Sequence, residues 1–139
     1  MTATWILVAD GSRARLFSVD RSQSPLLEIG SFVRPEARAK TRDLVTDKLQ
    51  SGIGSGDLDR QTPRRHEALN FARQLSAQLR LGRVQGLFDR LYIAAAPAFL
   101  GLLRSKLDAP TAQLVVNAVS KDLTQLEPAR IRKHLPHRL

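Results

Sequence analysis

Trp5-Ile6-Leu7-Val8-Ala9-Asp10-Gly11-Ser12-Arg13-Ala14-Arg15-Leu16-Phe17 is the stretch on which the fold turns. Five apolar residues run without a break before Asp10, which is the pattern of a strand buried on both faces. Asp10-Gly11-Ser12 supplies turn chemistry, because a short carboxylate side chain accepts hydrogen bonds from the backbone just ahead of it. Beyond the turn, residues 13–19 alternate around Ala14, Leu16 and Phe17, so the two runs predict a hairpin. A second turn over residues 20–25 leads to a third strand over residues 26–33, with Leu27, Ile29 and Phe32 as its apolar anchors.

The pattern changes character twice after the third strand. Residues 34–61 lose all periodicity, carry many charges and place Gly52, Gly54 and Gly56 close together ahead of Gln61, which reads as a long flexible loop. A helix then opens at Thr62, a good N-cap, and Pro63, whose fixed φ suits a first helical position. Ala68, Phe71, Ala72, Leu75 and Leu79 recur at 3.6-residue spacing to give an inner face, and the helix is expected to end near Gly82. His66, Asn70, Arg73, Ala77 and Arg80 form a second stripe along a neighbouring face.

A strand over residues 90–95 follows, then a helix opened by Pro97, with Phe99, Leu100, Leu103 and Leu107 inward, and stopped by Pro110. Residues 112–119 read as a strand, continuous enough through Leu114, Val115 and Val116 for a central place in the sheet. Ser120 offers a cap for a short helix, and Pro128 starts a last one. The order β-β-β-α-β-α-β-α predicts one α/β domain over residues 1–139 with a mixed sheet, an antiparallel meander extended by parallel βαβ units.

Composition narrows the function classes. Twenty-two Lys and Arg against thirteen Asp and Glu give a net charge of +9, a field that favours polyanions such as RNA or the ribosome. The chain has no cysteine, so disulfides and thiolate metal sites are excluded. No apolar run approaches the ~18 residues of a membrane span, and the opening residues lack the basic start of a signal peptide. A cytoplasmic protein without membrane insertion is expected.

Two segments carry a resemblance. Residues 5–17, quoted above, are similar to the opening hairpin of the bacterial host attachment family, proteins reported as required for attachment to host cells. His66-Glu67-Ala68-Leu69-Asn70-Phe71-Ala72-Arg73, with the order of elements, resembles the middle domain of archaeal and eukaryotic class-1 peptide-release factors. The resemblance implies a ribonuclease-H-like fold. In those release factors a Gly-Gly-Gln loop precedes the helix and acts on peptidyl-tRNA. In this chain the matching positions hold Arg64, Arg65 and His66, so the motif is absent. Two arginines cannot reproduce the close backbone approach that paired glycines allow. Docking on ribosomal RNA or tRNA, without catalysis, is what the resemblance leaves.

The candidate residues follow from charge and position. Arg60, Arg64, Arg65, His66, Arg73 and Arg80 are the expected nucleic-acid contacts, since guanidinium forks suit phosphate. Glu67, near the helix N-terminus, is explained by the macrodipole. The alternative is a hydrolase acting on an ester or phosphodiester through His66 or Asp10, the latter standing where ribonuclease-H-type nucleases place a metal-binding aspartate. Asp10 equally serves a turn. A direct role in attachment to host cells is a third reading. The three glycines form no phosphate loop, as no Gly-Lys-Ser/Thr follows them. No cofactor and no metal are expected, and the oligomeric state is left open.

Overall fold

The structure, a computed structural model, describes residues 3–20, 24–34, 63–136 and 139, with the backbone alone for Pro63 and Arg64. Five strands form one mixed sheet in the order β3-β2-β1-β4-β5: β1 (Ala3–Ala9), β2 (Arg13–Val19), β3 (Leu27–Val33), β4 (Phe88–Ala95) and β5 (Val115–Val119). Strands β1, β2 and β3 are antiparallel, while β4 and β5 run parallel to β1. Four helices accompany them: α1 (Pro63–Val84), α2 (Pro97–Lys106), α3 (Ala109–Gln113) and α4 (Pro128–Lys133). The mixed α/β class read from the sequence is the class observed.

Both faces of the sheet are covered, which is why β1 has no polar alternation. Trp5, Leu7 and Ala9 pack with Phe71, Leu75 and Leu79 of α1 and with Phe99 and Leu103 of α2. Ile6 and Val8 point the other way, toward Phe17, Tyr92, Leu123, Ile131 and Leu135. Arg15 ties the second layer down. Its Nη1 donates to the carbonyls of Leu126 at 2.6 Å and Thr124 at 3.2 Å. Its Nε and Nη2 hold the Glu28 carboxylate, each at 3.1 Å, and its guanidinium lies 5.1 Å from the Phe17 ring centre.

Helix α1 does not stop at Gly82 but passes through it to Val84. Gly82 is there because Trp5 lies against it: an added methyl would meet the indole 2.6 Å from Cζ3. Trp5 has no room to retreat, being stacked on Phe88 at 4.5 Å. The helix ends instead at Gly86, whose φ of +72° is the left-handed conformation of a Schellman cap. Leu87 N–H donates to Gly82 O and Gly86 N–H to Arg83 O, both at 2.9 Å, closing that motif.

Four other expectations are corrected. In β3, Leu27 and Ile29 are not anchors but stand 66% and 45% exposed, while Leu26 is the buried residue. The register slips here, Leu16 pairing with Gly30 and Phe17 with Glu28, so Ile29 has no partner and the alternation breaks. Strand β5 is an edge strand, not a central one, and Val116 is 48% exposed. Pro110 does not end α2; it lies in the first turn of α3, which absorbs Ala112 and Gln113 from the predicted strand. No helix follows Ser120, where residues 120–127 form turns before α4.

Candidate nucleic-acid interface on the outer face of helix α1

Helix α1 presents its side chains in an inner sector, two flanks and an outer sector. The inner sector, Phe71, Ala72, Leu75 and Leu79, is buried as its spacing predicts. One flank faces α2 and α3. There Ser76 Oγ donates to Lys106 O at 2.7 Å, and Arg83 reaches Thr111 Oγ1 at 3.0 Å and Asp108 Oδ2 at 3.1 Å. The Thr111 hydroxyl, with a smaller contribution from the Arg83 charge, holds the Asp108 carboxyl below the usual carboxylate range, against the opposing effect of burial.

The other flank carries Glu67, the helix's single carboxylate. Glu67 is buried and stands 3.9 Å from Arg34 Nη1, itself buried at the end of β3. Arg34 is fixed by its N–H to Ser12 O at 2.9 Å and by Nη2 to Ser12 Oγ at 3.5 Å. A macrodipole role for Glu67 is therefore not the main one, since it sits beyond the first turn as half of a buried ion pair. Nothing in the sequence points to the pairing, because Arg34 and Glu67 stand far apart along the chain.

The outer sector is what remains. His66, Asn70, Arg73, Ala77 and Arg80 are all exposed, and Arg65 is exposed beside them. Positions 66, 73 and 80 are seven residues apart, so they recur every two turns, about 10.5 Å along the axis. Arg73 is steadied by Nη1 donating to Asn70 Oδ1 at 3.0 Å. With Glu67 turned inward and engaged by Arg34, the outer sector carries cations and no anion.

Arg60, Gln61, Gly52, Gly54 and Gly56 lie outside the described residues, as does the side chain of Arg64. The positions matching the Gly-Gly-Gln motif, Arg64, Arg65 and His66, lie inside α1 and have helical backbone.

Asp10 caps a turn. Its Oδ1 accepts from Ser12 N–H at 2.7 Å and Arg13 N–H at 2.9 Å, and its Oδ2 faces Thr124 Oγ1 at 3.5 Å and Arg13 Nε at 3.9 Å. The Thr124 hydroxyl donates more closely to Asp122, at 2.6 Å. Among the described residues no hydrogen bond or ion pair joins Asp10 to His66, and no three His, Asp or Glu side chains gather as a metal site. No helix of the described residues is long and apolar enough to cross a membrane.

Comparison with known proteins fits this fold. An archaeal translation termination factor of known crystal structure aligns with 97% of the chain at a TM-score of 0.53 and 11% sequence identity, a likeness of fold alone. The chain spans only 35% of that factor's length. No curated protein matches the chain in sequence. Residues 5–135 match the family model described as protein required for attachment to host cells, and the chain belongs to that family.

Proposed function

We propose that this protein is a non-enzymatic binding module that docks on structured RNA, ribosomal RNA or tRNA, through the outer face of α1. The observation that carries the reading is the row His66, Arg73 and Arg80, exposed on one helix whose single carboxylate is buried against Arg34. A net charge of +9 supplies the long-range attraction, and the row gives it a place to act. Likeness in fold to a translation termination factor supports the ribosome as the setting. The cytoplasm is the corresponding place of action. The family's link to host attachment then follows indirectly, through altered translation. No specific observation favours a hydrolase, as the Asp10 carboxylate is engaged by the turn it caps.

The test is binding of a labelled tRNA across a salt series by the wild type and by Arg73→Glu/Arg80→Glu. Removing two phosphate contacts lowers affinity and makes the log–log salt slope shallower by about two. Unchanged affinity and slope in a folded double variant would overturn the reading.

A further inference from the structure

All seven aromatic residues of the chain are accounted for, and none offers a face to a ligand. Trp5, Phe17, Phe71, Phe88, Tyr92 and Phe99 are buried, and Phe32 is packed against the core. Proteins that hold single-stranded nucleic acid stack successive bases on exposed aromatic rings. Here no Phe, Tyr or Trp ring is placed to do so. His66 and His134 are the exposed imidazoles among the described residues, and a lone imidazole in the α1 row makes no platform for successive bases.

The basic side chains, by contrast, are arranged for a rigid partner. His66, Arg73 and Arg80 form a straight row spanning about 21 Å on a continuous helix. Phosphates already held in place by a double helix meet such a row without being ordered for it. A flexible strand must be immobilised, with no stacking to offset the lost freedom. The high charge density of a duplex also releases more counterions for each contact than a single strand does.

We infer that the partner surface is the phosphate backbone of double-helical RNA, not unpaired bases. This rests on the RNA reading above and narrows it to one class of ligand. Recognition is then by shape and backbone, insensitive to base sequence. Guanidinium planes can also lie on bases, and a preference for paired over unpaired RNA separates the two modes.

The experiment measures anisotropy of the full chain with three labelled probes of equal length: a perfectly paired RNA duplex, an unstructured oligo-uridine strand and a DNA duplex. The expected result is RNA duplex bound about tenfold or more tighter than oligo-uridine, with the difference lost in Arg73→Glu/Arg80→Glu. Oligo-uridine bound as tightly as the duplex, or more so, overturns the inference while leaving RNA binding intact. A duplex preference that survives Arg73→Glu/Arg80→Glu also overturns it, because the α1 row would not be its source. No binding to any probe removes the RNA reading and the inference together. Equal binding to RNA and DNA duplexes supports backbone recognition and withdraws RNA as the particular source of that backbone.

Discussion

The two faces of helix α1 obey different rules. On the inner face every side chain is fixed by neighbours: Phe71 is 1% exposed and tilted on Phe99 with ring centres 5.9 Å apart, and Gly82 is held to a hydrogen atom by Trp5. On the outer face, Asn70 and Arg73 make a bond within the helix, and among the described residues the row stands exposed. Packing explains the inner face entirely. It places no such demand on the outer one, where Arg73 and Arg80 stand exposed. The flanks divide the two, with Glu67 and Arg34 on one side and Arg83 and Asp108 on the other.

That division is open to test at several points. Phe71→Ala opens a cavity between α1, α2 and the sheet and is expected to cost about 3–5 kcal/mol, measured by urea denaturation. Glu67→Ala leaves the Arg34 guanidinium buried without this carboxylate, at a cost of about 3 kcal/mol. A neutral result there would mean that the 3.9 Å pair contributes nothing and that Glu67 is no boundary of the outer face. Gly82→Ala gains helix propensity but drives a methyl into the Trp5 indole, for a net loss of about 2 kcal/mol. A stabilised Gly82→Ala protein would show that α1 can lift from β1.

The Arg83–Asp108 flank has a pH signature. The folded-state pKa of Asp108 is lowered, so its contribution is present above the unfolded carboxylate pKa and is lost as pH falls through the folded value. Asp108→Asn should therefore lower Tm at neutral pH, and the gap from wild type should close below about pH 4. A gap that stays constant down to pH 3 would place the effect elsewhere. Smallest of all, Arg73→Glu/Arg80→Glu should change stability by no more than about 0.5 kcal/mol per site, while removing RNA binding. A large loss of stability in that variant would erase the distinction between the faces.

Some of this was legible in the sequence. The β1–β2 hairpin was, because a strand buried on both faces leaves an unbroken apolar run and Asp10-Gly11-Ser12 carries strong turn chemistry. The inner stripe of α1 was also legible from its 3.6-residue spacing, while the second stripe, read as a neighbouring face, stands exposed on the side away from the core. Strand β3 was misread because one unmatched residue, Ile29, reverses which side chains face the core. Gly82 was misread because a helix-ending glycine and a close-packed one look alike until Trp5 is placed against it. Arg34 with Glu67, Arg83 with Asp108 and Arg15 with Leu126 could not be seen, as each pair meets through the fold across a long stretch of chain. Those pairs matter to the site because they decide which charges of a basic protein are already engaged.

The central claim is tested most directly by sedimentation of the native protein from cells through sucrose gradients, at low and high salt, with and without ribonuclease. The account predicts that the wild type travels with ribosomal particles at low salt and is released by high salt or ribonuclease, while Arg73→Glu/Arg80→Glu stays at the top of the gradient. Wild-type protein that sediments as a free small protein under every condition, or a double variant that travels with the particles as the wild type does, would contradict it.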